Sequence, residues 1–99
     1  MSKAASGARE AAEDLAIQAL NYLAQEPKRL ARFLALSGLE AQSIRDAART
    51  PDFLAGVLAH LGDDDRVLAA FAAEAGVTPA AVDRARRLLA GPDWEREQP

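Results

Sequence analysis

The side chains most able to do chemistry in this chain cluster at His60, Asp63, Asp64 and Asp65. Imidazole and carboxylate are metal ligands, and His60 and Asp64 have the i, i+4 spacing that puts two side chains on one helix face. However, Gly62 interrupts any helix between them, and consecutive carboxylates are favoured at a helix start by the helix dipole. The pattern favours helix capping over metal binding, and we expect no metal site.

Other routes to catalysis have little support in the sequence. The chain has no cysteine and one histidine, so it has neither a thiolate nucleophile nor a zinc–thiolate site. It also has no glycine-rich phosphate loop and no His-Glu-x-x-His pattern. Acid–base work by paired carboxylates stays open, although nothing in the sequence places two of them in an apolar cleft. We expect a protein without catalysis or cofactor.

A first basic cluster comprises Lys28, Arg29 and Arg32, on the predicted exposed side of a helix. A solvated helix face is one interpretation. The other is a docking patch for an acidic partner, including a second copy of the chain, whose own carboxylates crowd at residues 10–14 and 63–65.

A second basic cluster comprises Arg84, Arg86 and Arg87, on a predicted helix over residues 79–90. The residues before and within this helix have the small–glycine–apolar–apolar spacing of a helix-turn-helix: Ala72, Gly76, Val77 and Val82. In that motif the second helix enters the major groove of DNA, where arginines contact phosphates or guanine edges. The alternative function is therefore a DNA-binding regulator.

Three observations oppose DNA binding. The net charge is −3, whereas nucleic-acid binders are commonly basic. The helix begins with Ala80 and Ala81 and lacks the Asn, Gln, Ser and Thr that read bases. Any two helices joined through a glycine also show this spacing, and the same turn recurs earlier in the chain with bulky Leu34 at the small position.

Two apolar side chains are predicted to lie outside the core, Ile17 on the first helix and Trp94 beyond the last. Trp94 either folds back onto the helices or stays free as an anchor for a partner. Together with the first basic cluster they form the predicted partner surface: Ile17, Lys28, Arg29, Arg32 and Trp94. Small residues at Gly56 and Ala59 offer a further helix face, either exposed or internal.

These side chains must be positioned by helices, because apolar residues recur at helical spacing and no segment has the alternation of a strand. Proline opens three of the six predicted helices and glycine ends four of them. They cover about 8–25, 27–37, 41–49, 51–61, 63–75 and 79–90. Residues 1–7 are predicted to be a disordered tail, residues 8–91 the helical domain, and residues 92–99 a mobile tail.

The helices repeat a pattern after thirty-eight residues. Leucine, phenylalanine, glycine and arginine positions recur at one register, with conservative changes between them: Leu30/Leu68, Phe33/Phe71, Gly38/Gly76, Leu39/Val77, Ile44/Val82 and Arg49/Arg87. We expect an all-α, compact six-helix bundle built from two related three-helix units, residues 12–49 and 50–87.

The length and composition of the chain predict a single soluble domain. Its 99 residues suffice for one core, 27% charged and 49% hydrophobic residues are ordinary for a globular protein, and no apolar run is long enough to span a membrane. Residues 1–10 lack the apolar stretch of a secretion signal, so we expect a cytoplasmic location.

The strings RFLALSGL at 32–39 and PDFLAGVLAHL at 51–61 resemble an alphaproteobacterial family known as domain of unknown function 3572. The resemblance extends over about residues 12–89 and is carried by apolar, glycine and proline positions. It implies a helical cytoplasmic protein and carries over no catalytic residues. We expect a small protein-interaction or scaffold module that docks an unknown protein partner or a second copy through an apolar patch flanked by Arg and Lys.

Overall fold

The structure, a computed structural model, describes residues 2–91, with side chains for 7–40 and 42–91. This part of the chain is all-helical and contains no strand. Its elements are α1 (Ser2–Ala24), α2 (Pro27–Ser37), a 3₁₀ turn (Ala41–Ser43), α3 (Ile44–Ala47), α4 (Pro51–Gly62), α5 (Asp65–Ala75) and α6 (Pro79–Ala90). Within residues 2–91 no helix is both long and apolar enough to cross a membrane.

Proline and glycine bound the helices where the sequence predicts. Proline occupies the first turn of α2, α4 and α6, where its missing N–H leaves no intrahelical bond unmade. Gly38 and Gly76 follow α2 and α5, each with φ of 75°. The left-handed conformation costs a residue with a Cβ about 1–2 kcal/mol, so glycine ends both helices at these positions.

Two predicted helices differ most from the structure. Helix α1 begins at Ser2 rather than near residue 8, because alanines and Lys3 extend the helical sequence backwards. The third helix, predicted over residues 41–49, is instead a 3₁₀ turn followed by four residues of α-helix. Its start lacks a cap, since the Glu40 carboxylate accepts a hydrogen bond from Gln42 Nε2 at 2.6 Å rather than from a backbone N–H.

The core lies where α1, α4 and α6 meet. Helix α4 packs most extensively against α6, and α1 packs against both, while α2 and α5 lie outside this trio. Helical spacing predicts apolar stripes on α1 and α4, and most of their residues are buried: Ala12, Ala16, Ala19, Leu20 and Leu23 on α1, and Leu54, Val57, Leu58 and Leu61 on α4. Leu15 and Phe53, which belong to the same predicted stripes, are half-buried. Helical spacing predicts an inward position for Leu88 on α6 as well, but Leu88 is 41% exposed. Val82, Ala85 and Leu89 form the buried stripe of that helix, and Leu88 lies at its edge.

Candidate functional site

An apolar groove between α2 and α4 is the main candidate site, and we call it the α2–α4 groove. It has a volume of about 800 Å³ and is open to solvent. Its apolar lining comes from α2, α3 and α4 and from the residue after Gly38: Phe33, Leu36, Leu39, Ala47, Phe53 and Ala59. Ser37, Thr50, Asp52, Gly56, His60 and Asp63 complete it.

Three aromatic rings pack together at the α2 side of this groove. Phe33 is buried and meets Phe53 edge to face, with ring centroids 5.7 Å apart. His60, near the end of α4, meets Phe33 in the same way at 5.2 Å. Aromatic rings favour this geometry because the positive ring edge meets the negative face. The wall between α2 and α4 is therefore a packed aromatic cluster and His60 is part of it.

Leu36 is the most exposed large apolar side chain of the described residues, with 69% of its surface accessible. It lies on α2 three residues after Phe33, but that helix contributes only Phe33 to the buried core. Leu36 also lines a second cleft on its other side. This leucine therefore stands between two concave surfaces, where a partner side chain can contact it from either side.

One face of α4 forms another wall of the groove. Asp52, Gly56 and Ala59 of α4 and Asp63, the residue after it, follow one another at intervals of four, three and four residues. Asp63 keeps a right-handed helical backbone, with φ −72° and ψ −19°, so all four lie on one face. Gly56 and Ala59 are exposed, which decides between the two positions that the sequence leaves open for them. Because both residues are so small, a docked chain can approach the α4 backbone closely. The carboxylates of Asp52 and Asp63 lie at the two ends of this face.

The second cleft, about 490 Å³ in volume, brings opposite charges together. Arg29 and Arg32 of α2 line it, and so do His60 and the carboxylates of residues 63–65. The basic cluster predicted to dock an acidic partner thus faces the chain's own acidic segment. Lys28 is exposed and does not line this cleft.

Arg29 is also engaged within its own neighbourhood. Its Nε lies 3.5 Å from a Glu26 carboxylate oxygen, and its guanidinium carbon lies 5.5 Å from the centre of the Tyr22 ring. A guanidinium at this distance from an aromatic face makes a cation–π contact. Arg32 is therefore the freer of the two cleft arginines to meet a ligand.

The acidic segment itself is accounted for by capping at one position. Asp64 is the N-cap of α5, and its Oδ1 accepts hydrogen bonds from the backbone N–H groups of Arg66 at 3.0 Å and Val67 at 3.4 Å. Among the side chains that the structure describes, no group of three His, Asp or Glu is placed to hold a metal ion. The capping interpretation of Asp64 is confirmed.

The α5–α6 turn has the local geometry that the helix-turn-helix spacing requires. Ala72 is buried, Gly76 has a positive φ, and the Val77 N–H donates to the Ala72 carbonyl at 2.9 Å. This six-to-one bond is typical of a helix end in the Schellman motif. Such ends are common in helical proteins, so the turn alone does not indicate DNA binding.

Two of the three arginines on α6 are tied to Asp83. Arg86 donates to Oδ1 from Nε at 3.1 Å and from Nη2 at 2.9 Å, and Arg87 Nη2 lies 3.0 Å from Oδ2. The hydrogen bond from Arg86 lowers the pKa of Asp83, and the positive charges of Arg86 and Arg87 add to this, against an opposing effect of desolvation. Arg84 is exposed and lies outside this cluster.

The two remaining residues of the predicted partner surface lie apart from the groove. Ile17 is 42% exposed on α1 and lines neither cleft. Trp94 lies outside the residues that the structure describes. The groove residues that sequence reasoning misses are Leu36, Leu39 and Phe53, which their spacing assigns to core stripes or their edges, and the flanking Asp52.

Comparison with known proteins identifies a family. No curated protein and no solved structure matches the chain. A family model described as "Protein of unknown function (DUF3572)" matches residues 9–92, which include all the residues of the groove. The chain therefore belongs to the DUF3572 family.

Proposed function

We propose that this protein is a non-catalytic interaction module that binds an apolar segment of a protein partner in the α2–α4 groove. The exposure of Leu36 beside an open apolar groove carries this proposal. Burying such a leucine on binding contributes about 1–2 kcal/mol, from its area and the usual transfer coefficient. Exposed apolar surface next to a concave site is typical of an interface.

The flanks of the groove support a different partner chemistry from the one predicted from sequence. The expected flanking Arg and Lys do not line the groove, whose charged lining residues are Asp52 and Asp63. The arginines of α2 lie in the neighbouring cleft, facing the acidic segment. An acidic partner is therefore less favoured at the groove than the sequence indicates.

The proposal of a role without catalysis has support in the openness of the groove. Asp52 and Asp63 are exposed, so water surrounds the carboxylates that would have to act on a substrate. Enzyme sites exclude water from the reacting atoms, which strengthens every electrostatic interaction there. Binding by shape and apolar contact has no such requirement.

We also infer that the chain consists of two related units, residues 12–49 and 50–87, and this inference bears on the groove. The equivalent of α6 in the first unit is the 3₁₀ turn and four-residue α3. A longer helix there would cover the surface that Leu39, Ala47 and Phe53 leave open. A partner segment would then occupy space that the second unit fills with its own chain.

Photocrosslinking in the native host tests the proposed function. A benzophenone amino acid replaces Leu36, and the same substitution at Leu88 serves as the matched control, since Leu88 is also a leucine at a helix surface and 41% exposed. We expect one discrete adduct from position 36 and none from position 88. A third variant at Ile17 covers the alternative surface on α1. An adduct from position 17 without one from position 36 would move the interface to α1 and reject the groove.

The alternative function, DNA binding through α6, is supported by the α5–α6 turn geometry and opposed by the Asp83 cluster. Asp83 offsets part of the positive charge of Arg86 and Arg87. Titration of a labelled duplex at low and then raised salt tests it, because phosphate contacts weaken steeply with salt. We expect no binding at low salt. Salt-sensitive binding that Arg84→Ala weakens would favour the alternative.

A further inference from the structure

We propose that the occupant of the α2–α4 groove is a basic amphipathic α-helix of another protein, carrying two cationic side chains eleven residues apart. This inference rests on the proposed function and adds the shape and charge of the partner. It starts from the α4 face that lines the groove, where two small residues separate two carboxylates.

The positions of the two carboxylates determine the spacing of the two cationic side chains on the partner helix. Asp52 and Asp63 are eleven residues apart, and an α-helix rises 1.5 Å per residue, so they lie about 16 Å apart along the axis. A helix lying along α4 has the same rise. Lysine or arginine at positions i and i+11 of that helix therefore reaches both carboxylates at once.

The residues between the two carboxylates determine how closely a partner helix can approach α4. Gly56 and Ala59 are exposed, and apart from the neighbouring residues and the backbone of α4 itself no atom lies within 4 Å of the point where a Cβ on Gly56 would stand. The distance between the axes of two packed helices is about 8–10 Å and depends on the side chains at the contact. Small residues such as these allow a partner helix to pack at the shorter distances of that range. Leu36 and Phe53 flank this face and supply apolar contacts to the side of the docked helix.

The charge of the groove selects against other occupants. Neither Asp52 nor Asp63 forms an ion pair among the described residues, and no lysine or arginine lines the groove. A cation on a partner would therefore meet carboxylates that form no ion pair in the described chain, with Asp52 away from every arginine of the second cleft and Asp63 lining that cleft together with Arg29 and Arg32. Complementary charge of this kind raises association rates and suppresses partners of the wrong sign.

A second copy of the chain fits poorly. Two-fold docking of α4 on itself brings carboxylate against carboxylate, whether the helices run parallel or antiparallel, because both ends of the face are acidic. No helix of residues 2–91 carries two cations eleven residues apart. The segment 92–99 has three carboxylates against one guanidinium, so its charge also opposes the groove.

Designed peptides test the proposal on the full chain. Three labelled eighteen-residue helical peptides share one apolar face of alanine and leucine. The matched dilysine peptide has lysines eleven residues apart, the diglutamate peptide has glutamates at the same two positions, and the mismatched dilysine peptide has lysines seven residues apart. Fluorescence anisotropy at low ionic strength measures their affinities. Exposed ion pairs contribute about 0.2–1 kcal/mol each, so we expect the matched dilysine peptide to bind about tenfold more tightly than the diglutamate peptide, and more tightly than the mismatched one.

The variant Asp52→Asn/Asp63→Asn should remove this preference. Glu10→Gln/Asp14→Asn makes the same charge change at exposed positions of α1 and should leave the preference unchanged. Thermal melts of both variants verify folding. Equal affinity for the matched dilysine and diglutamate peptides, or no binding of any peptide, overturns the proposal. If position 36 still crosslinks a partner in either case, the groove remains an interface and only this partner class is rejected; without that crosslink the proposed function itself fails.

Discussion

The segments α2–α3 and α5–α6 begin from similar sequences, thirty-eight residues apart, and end in different packing. Both contain a buried phenylalanine, and both end their first helix at a glycine with φ of 75°: Phe33 and Gly38, Phe71 and Gly76. The third helix then differs. Val82 is 2% exposed on a twelve-residue helix, whereas Ile44 at the equivalent position is half-buried on a four-residue helix.

Capping residues account for part of this difference. Asp64 and Thr78 cap α5 and α6, and Thr78 Oγ1 accepts from the Ala81 N–H at 3.1 Å. Glutamate occupies both equivalent positions of the first segment, Glu26 and Glu40. The longer glutamate side chain is a poor cap, and Glu26 makes no side-chain cap bond. The segment with weaker caps has the shorter third helix and borders the groove.

An open apolar groove can therefore arise where one helix is shortened. Helix α6 packs against both α1 and α4. The 3₁₀ turn and α3 leave Phe53 and Gly56 of α4 at the groove wall. The same residue pattern completes the core in one segment and leaves an open surface in the other.

Truncating the two equivalent phenylalanines should have the largest effect. Removing a buried aromatic side chain costs about 3–5 kcal/mol. We expect Phe71→Ala to lower the free energy of unfolding by about 4 kcal/mol and Phe33→Ala by about 3 kcal/mol. Both rings make edge-to-face contacts, Phe33 with Phe53 and His60 and Phe71 with Tyr22. Only Phe33 lines the open groove, where water can fill the space that truncation leaves. Urea denaturation measures both, and a larger loss for Phe33→Ala would contradict the assignment of the groove as the less packed side.

Helices α3 and α6 offer a test in which removing more side-chain atoms should cost less stability. Val82→Ala removes fewer atoms than Ile44→Ala, but Val82 is buried on α6 and Ile44 is half-buried on α3. At about 0.8 kcal/mol per buried CH₂ plus a cavity cost, we expect about 2 kcal/mol for Val82→Ala and about 1 kcal/mol for Ile44→Ala. Equal or reversed losses, measured by urea denaturation, would show that α3 is packed as well as α6.

Much of the fold can be predicted because helix ends are local. Pro27, Pro51 and Pro79 begin α2, α4 and α6, and Gly38 and Gly76 follow α2 and α5. The fixed φ of proline and the left-handed conformation open to glycine dictate these positions. The stripe of α1 is equally readable from its spacing. The length of the third helix cannot be predicted in this way. Glu40 is a poor cap at its start, and residue 50 precedes a proline, which disfavours the helical conformation at its end, so both oppose the helical propensity of the segment.

The candidate site is less predictable because it depends on how helices meet. Leu36 has the same residue type and nearly the same spacing as core leucines, and only the position of α2 leaves it exposed. The approach of Arg29 and Arg32 to residues 63–65 joins segments that are about thirty residues apart in sequence. Gly56 and Ala59 are recognisable as a helix face, but their exposure depends on the placement of α2 and α3.

Exchanging the caps should change the stability of the protein by about 1 kcal/mol. Asp64→Ala removes two hydrogen bonds to backbone N–H groups and should destabilise the protein by about 1 kcal/mol. Glu26 has φ −118° and ψ 112°, close to −122° and 110° at Asp64, so its backbone is already in the capping conformation. We expect Glu26→Asp to stabilise the protein by about 0.5–1 kcal/mol, despite losing the exposed pair with Arg29. A loss of melting temperature in Glu26→Asp would contradict this.

Gly56→Ala should separate stability from binding. Gly56 lies inside α4 with open space around its missing Cβ, and alanine is favoured over glycine in a helix interior by about 0.5–1 kcal/mol. We expect a higher melting temperature and a weaker complex with the matched dilysine peptide, because the methyl group projects into the groove. Gly62→Ala, also in open space at the end of α4 but outside the groove, is the matched control. Unchanged peptide affinity in Gly56→Ala would place the docked helix away from this face.

The smallest expected effect is the pH dependence due to Asp83, whose equivalent in the first segment is Arg45. Arg86 and Arg87 lower the pKa of Asp83 in the folded protein below its ordinary value of 3.8. The ionised carboxylate therefore stabilises the fold above that pH, and its contribution is lost as the pH falls through the lower folded value. We expect the stability difference between wild type and Asp83→Asn to be constant near neutral pH and to shrink below pH 3.8. Urea denaturation at several pH values measures this difference, with Asp46→Asn on α3 showing the change that any exposed carboxylate produces. A difference that grows as the pH falls would mean that the Asp83 cluster opposes folding, and Arg86 and Arg87 would then be held for another purpose, such as contact with a partner.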